Sequence, residues 1–402
     1  MIAPAVDLSG VTVRQLEADP YPIYAELRTS APVAYMPCLD TWMVTSWATV
    51  EAACVDPVAF PATVDRSPTD RALGGVSMMT TDGEPARQRR RPFDATLRPR
   101  AIEATMPATF ERLCRERLDA IAPAGRADLV REYFEPVSVL SLAHVMGLAD
   151  AVDGPTLVRW FNGLAAGVSN YEGDPAKFAF CDQVSAEIDS AVAPLFEAAL
   201  ADASPAEPGD GLISHLVQAV EGPLEHRLRF VLPSLKLVLL GGLQEPAHGG
   251  ATIAERLLRH LDQVAAVRAD PTLVPVAVEE GLRWTAPIGN LLRGVAPGTR
   301  LGGVDLPAEA RVILVVASAN RDAEAWGPTA DRFDIGRPRK ASLSFAVGPH
   351  YCIGHYFARA QLAVAIRMLF DRFPRLRLDP ADEPVYRGHE YRSPKSLRVL
   401  LD

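Results

Sequence analysis

Apolar residues recur every three to four positions along most of this 402-residue chain, the spacing of helices with one buried face. The pattern predicts helices over 47–55, 84–97, 101–122, 128–147, 155–168, 176–201, 210–220, 225–260, 262–269, 272–284 and 355–373, with a short one at 20–30. Strict alternation is confined to short stretches. Residues 33–46 read as a hairpin, and 291–295, 311–316 and 396–401 read as strands. Pro and Gly mark 205–211, PAEPGDG, as an exposed connection. No repeat or low-complexity segment interrupts the pattern. The expected architecture is a single domain over 1–402, mainly α with small antiparallel β-sheets. Its β-rich part is drawn from about 30–60, 291–316 and the C-terminal strands.

The helical period is hardest to reconcile with the residues at LLGGLQEPAH, 239–248. Gly costs about 1 kcal/mol and Pro about 3 kcal/mol against Ala inside a helix. The flanks on both sides nevertheless keep a helical apolar spacing. A helix over 225–260 would run about 54 Å at 1.5 Å per residue. Pro246 deprives the carbonyl of Gly242 of its helical donor, so a kink is expected there, with Gly241 and Gly242 leaving open space beside it.

Composition narrows the class. Hydrophobic residues make up 48% and charged residues 23%, as in soluble globular proteins, and the formal net charge of −9 argues against nucleic-acid binding. The first residues lack a basic region followed by an apolar core, and no long uncharged apolar run suggests a membrane span. Five scattered cysteines without CxxC spacing fit a reducing cytoplasm.

One of those cysteines has unusual neighbours. In SFAVGPHYCIGHYFARAQ, a Gly- and Pro-rich loop presents Cys352 just before a long helix. Gly348 and Gly354 allow close backbone approach to a flat, bulky group. The helix start offers free N–H groups and the positive end of its dipole, which favour a thiolate. A thiolate on a rigid loop is a ligand suited to haem iron in oxygen-activating enzymes.

The spacing Phe345-x-x-Gly348-x-His350-x-Cys352-x-Gly354 resembles the haem-binding loop of cytochromes P450 at every defining position. Glu280-x-x-Arg283, about 70 residues earlier, resembles the family's buried ion-pair motif, and 318–338 resembles its meander, with Arg332 as the third member of that network. The resemblance implies a haem-thiolate monooxygenase containing haem b, with Cys352 as axial ligand of the iron. It implies Phe345 near the sulfur, and His350, Arg293 and Arg90 on the haem propionates. Ala86 stands where many members carry a second propionate-binding His. The arginines at 87 and 89–91 form a positive patch suited to an acidic redox partner.

The family's central helix usually carries an acid followed by Thr, which handle protons during oxygen activation. Here Gln244 and Glu245 occupy those positions. The expectation is that Glu245, with its pKa raised by burial, replaces the Thr while Gln244 orients it. The Gln-Glu-Pro variant further resembles cytochromes P450 of the guaiacol O-demethylase type, which oxidise methoxyarenes. That resemblance implies a separate reductase carrying flavin and [2Fe–2S], or a ferredoxin with its reductase, passing electrons from NAD(P)H. It also implies a cytoplasmic monomer and a substrate pocket lined by Leu73, Met79, Val168, Leu237, Gly241, Ile288 and Tyr391. The alternatives are a peroxide-driven peroxygenase using Glu245, hydroxylation of a larger substrate, and a haem-binding module without turnover.

Overall fold

A computed structural model describes residues 6–65, 67–202 and 211–401. The expected connection at 205–211 therefore lies, but for Gly211, outside the described residues. Most predicted helices form within a residue or two of their expected ends. The site is built from β1 (Val33–Met36), β2 (Thr41–Val44), α1 (Gly83–Leu97), α2 (Glu135–Met146), α3 (Gly154–Val168), α4 (Pro175–Ala201), α5 (Leu224–Leu243), α6 (Glu245–Arg259), α7 (Val274–Thr285), β3 (Asn290–Gly294), β4 (Arg311–Val315) and α8 (His355–Arg372).

Three apolar cores organise the molecule. Leu239, Leu240 and Leu243 of α5 share the first with α3 and α4. Ala247, Ile253 and Leu257 of α6 share the second with Ala365 and Ile366 of α8. The third lies under the sheet, around Met43, Val312 and Ile313. Each such side chain contributes roughly 1.5–3 kcal/mol on full burial. Gln244 thus stands where one buried strip passes from the first core to the second.

The long helix expected at 225–260 is accordingly two helices. The chain departs from helical geometry at Gln244 (φ −114°, ψ −19°), and Pro246 lies in the first turn of α6, where a missing N–H costs nothing. The helix expected at 101–122 is also divided, into Pro99–Thr105 and Pro107–Ile121, because Pro107 has no N–H to continue the ladder. The start of the helix expected at 128–147 is a π turn, Val130–Phe134.

The sheets differ from the expectation in two ways. β1 and β2 form the predicted hairpin and β3 pairs antiparallel with β4, but β2 and β4 pair parallel. Their wide separation in sequence frees that pair from hairpin geometry. The C-terminal strand Arg398–Leu400 joins none of these. It pairs with Arg126–Asp128 and Arg377–Leu378 in a separate sheet packed on the second core. No helix among the described residues is long and apolar enough to cross a membrane.

Candidate active site

The loop before α8 is held by its own backbone. The Cys352 N–H donates to the Phe345 carbonyl (2.9 Å), Tyr351 N–H to Gly348 (3.1 Å), and Ala346 N–H to Leu343 (2.8 Å). Gly348 has φ +77°, and a Cβ there would lie 2.7 Å from the carbonyl oxygen of Cys54. Only glycine meets both demands. Ala346 takes φ +57° without that freedom, which stores strain in the loop. The Arg90 Nη1 of α1 donates to the Tyr351 carbonyl (2.8 Å). Arg359, paired with Glu279, lies over the Phe345 ring at 4.2 Å.

Burial pushes the Cys352 thiol above its ordinary value, against the pull of the Gly354 and His355 N–H groups and of Arg90 and Arg359. The helix start alone is therefore insufficient to ionise it. A coordinated metal ion would do so.

Cys352 opens onto a cavity of about 220 Å³ that is partly open to solvent. Cys352, Phe345, His350, Gly354 and Arg90 form one side; Met79, Leu237, Gly241, Glu245 and Ile288 are among the residues of the rest. Cβ atoms built at Gly241 and Gly354 would meet nothing within 4 Å. At Gly242, by contrast, a Cβ would approach Leu142 to 3.1 Å, so that glycine serves the packing of α5 on α2.

A basic cluster borders the cavity. His350 Nε2 is 2.8 Å from Asp82 Oδ1, and the charges of Arg293 and Arg90 both act on His350. Burial lowers the pKa of His350 against the pull of Asp82. Arg293 is buried on β3, donates to the Leu292 carbonyl (2.7 Å), and is acted on by the charges of Cys54 and Asp82. Two guanidinium groups and an imidazole face two carboxylates, Asp82 at His350 and Asp94 at 3.9 Å from Arg90, which leaves an excess of donors. That suits the carboxylates of a flat anionic cofactor.

Other expected residues are placed differently. Leu73 and Val168 are buried where the helix Pro68–Leu73 packs on α3, and they do not line the cavity. Tyr391 is not among the lining residues either; it bridges to Ile288, which is, and its ring is edge-on to Phe161 at 5.8 Å. Gln244 does not orient Glu245; its Nε2 donates to Glu135 Oε2 at 3.0 Å. The Glu280–Arg283 pair forms as expected, with two contacts of 2.7 Å, but its third side chain is Arg337, at 3.5 Å from Glu280. Arg332 contributes only its carbonyl, which accepts from Arg283 at 2.8 Å.

Glu245 lines the cavity, is only 6% exposed, and neither carboxylate oxygen has a hydrogen-bond partner among the described residues. Burial raises its pKa against the pull of His248 and Lys395. His248 Nδ1, 3.5 Å from Glu245 Oε1, is likewise without a hydrogen bond. The three-residue spacing in Glu245-Pro-Ala-His248 was a usable helical signal for this pair. Asp82 and Glu135 had no such signal, because their partners lie far away in sequence.

Residues 265–390 match the family described as Cytochrome P450. Over 399 residues the chain is 31% identical to 6-deoxyerythronolide B hydroxylase of Saccharopolyspora erythraea, covering 94% of this chain and 95% of that protein. The chain belongs to the cytochrome P450 family. Its likeness to the steroid C26-monooxygenase of Mycolicibacterium smegmatis is 32% over 292 residues, covering 72% of this chain and 71% of that protein. A solved cytochrome P450 for C–S bond formation in chuangxinmycin biosynthesis shares the fold, with a TM-score of 0.87, 24% identity and 98% of each chain covered. This P450 is therefore a haem monooxygenase, and members of its family draw electrons from NAD(P)H through redox partners.

Proposed function

We propose that Cys352 is the axial iron ligand and that this P450 inserts one oxygen atom from O2 into a C–H bond of an apolar substrate. Haem, when bound, supplies the oxygen-activating and redox chemistry. The observation that carries the reading is the cavity itself, with the Cys352 loop on one side and the open Gly241 with the unpartnered Glu245 on another. Arg90, His350 and Arg293 would hold the cofactor carboxylates at the cavity edge. Phe345 and Gly354 shape the ground around the sulfur. Met79, Leu237, Gly241 and Ile288 hold the substrate and exclude water. Glu245 holds and releases a proton at its carboxyl group.

Two substrate readings follow from different observations. Gln244-Glu245-Pro246 favours oxidative O-demethylation of a methoxyarene, with electrons delivered by a separate flavin and [2Fe–2S] reductase or a ferredoxin pair. The names of the relatives, 6-deoxyerythronolide B hydroxylase and steroid C26-monooxygenase, favour hydroxylation of a larger substrate of macrolactone or steroid type. Spectral titration of the holoenzyme with methoxyarenes, steroids and macrolactones separates them. Micromolar binding with formaldehyde release from the methoxyarenes supports the first. Binding and hydroxylation confined to the larger compounds supports the second, and binding by none of the three classes overturns both.

A further inference from the structure

We propose that Ser234 is a positioning residue that determines specificity: it holds the turn carrying Met78 and Met79 against α5, and so sets the size of molecule the cavity admits. The proposal rests on the reading of Met79 as part of the substrate wall and adds the group that fixes that wall.

Ser234 and Lys236 are buried on α5, and neither lines the cavity. Apolar packing does not account for a hydroxyl and an ammonium group there, because their neighbours Val231, Leu235 and Leu239 all enter the first core. Buried polar groups persist where they are bonded, and both bonds reach other segments. Ser234 Oγ accepts from the Met78 N–H at 3.0 Å. Lys236 Nζ lies 2.7 Å from Asp189 Oδ1 and 2.7 Å from Ser185 Oγ, both on α4.

The chain before Met78 runs close along the same part of α5. Helix Pro68–Leu73 ends at Gly74, with φ +75°. A Cβ at Gly74 would lie 3.5 Å from Lys236 Nζ, and one at Gly75 would lie 3.3 Å from the Pro233 ring. The turn that follows is closed by its own hydroxyl groups. The Ser77 N–H donates to Thr80 Oγ1 at 2.9 Å, and Thr81 Oγ1 donates to the Ser77 carbonyl at 3.1 Å. Such a turn shifts as a unit, and the Met78 N–H is the point at which α5 grips it.

That grip lies beside the cavity. Ser234, Val238 and Gly241 share one face of α5 at the i, i+4, i+7 spacing, and the last two line the cavity together with Met78 and Met79. Methionine side chains are unbranched and adaptable, so the position of their backbone decides how far they reach into the cavity. Alanine at 234 would leave the Met78 N–H without its acceptor, and the turn would have to shift to recover one.

The test uses the holoenzyme and nitrogen ligands of haem iron of increasing size: imidazole, phenylimidazole and a biphenylyl-methylimidazole, each titrated spectrally. The variants are Ser234→Ala, Met79→Ala and the two combined. Ser234→Thr and Ser234→Val, alike in shape and differing in the hydroxyl, keep the comparison if the alanine variant fails to fold. Amide hydrogen exchange over residues 74–81 should quicken in Ser234→Ala and Ser234→Val, stay slow in Ser234→Thr, and be unchanged in the Cys352 loop. Imidazole affinity should not move. The ratio of phenylimidazole to biphenyl affinity should shift about fivefold toward the larger ligand, the factor that corresponds to one hydrogen bond, and Ser234→Thr should restore it. In the Met79→Ala background, Ser234→Ala should change that ratio by less than about twofold, because the two act through one wall. If Met79→Ala shifts the ratio while Ser234→Ala and Ser234→Val do not, the role of Ser234 is overturned and the wall stands. If Met79→Ala leaves all three affinities unchanged, the reading of Met79 as a wall fails. A Ser234 effect that persists in full without the Met79 side chain also overturns the proposal.

Discussion

The cavity has two unlike sides. Around Cys352 the backbone is cross-bonded through Phe345, Gly348 and Leu343, and Arg90 ties the loop to α1. At the junction of α5 and α6 the helix is interrupted at Gln244, and the buried Glu245 carboxylate and His248 Nδ1, 3.5 Å apart, have no hydrogen-bond partner among the described residues. The first arrangement holds one sulfur atom in one place. The second leaves polar atoms free to change partners, as proton movement requires. The difference shows how a single fold separates precise positioning from adaptable acid–base chemistry.

Cys352→Ser breaks this contrast at its most determined point. The hydroxyl keeps the loop but removes the thiolate, so the carbon monoxide spectrum of the reduced holoenzyme should lose its thiolate signature and turnover should fall to background. A variant that keeps both would place the iron ligand elsewhere. Supporting that side is the buried Glu280–Arg283 pair, whose guanidinium also donates to the carbonyls of Asn320, Ala330 and Arg332. Arg283→Ala leaves Glu280 buried with Arg337 as its remaining side-chain cation among the described residues. Removing one member of such a pair costs about 3–5 kcal/mol, measurable as a lower denaturant midpoint. Loss of under about 1 kcal/mol would show that Arg337 replaces Arg283.

The same contrast explains what could be read from the residues alone. The helices followed from apolar period because their buried faces are continuous. The Cys352 loop was legible because Phe345, Gly348, His350, Cys352 and Gly354 are close in sequence and each answers a local demand. The break at Gln244 was legible as a disturbance, from two glycines and a proline, but its form was not. Whether such a stretch kinks or divides depends on which core receives each half, and α5 and α6 enter different cores. The engagement of Gln244 with Glu135, of His350 with Asp82, and of Arg337 with Glu280 all join distant segments. Apolar period places helices but does not state which of their polar faces meet. The surroundings of Leu73 and Val168 were hidden for a related reason: both are buried where Pro68–Leu73 packs on α3, a contact between distant segments.

Two glycines sharpen the comparison with smaller effects. At Gly348 an alanine must adopt φ +77° and press its Cβ to 2.7 Å from a backbone oxygen of Cys54, which has no side-chain freedom to withdraw. The left-handed conformation alone costs about 1–2 kcal/mol, so Gly348→Ala should lower the denaturant midpoint by at least that much and weaken haem retention. At Gly241 a Cβ meets no atom within 4 Å and projects toward the cavity lined by that residue. Alanine is favoured over glycine inside a helix by about 1 kcal/mol, so Gly241→Ala should leave stability unchanged or slightly raised. Its effect should fall on substrate choice, with bulkier substrates losing affinity several-fold in the spectral titration and the smallest losing least. Equal loss of affinity across substrate sizes would place Gly241 outside the substrate's volume and restrict the adaptable side of the cavity to Glu245 and His248.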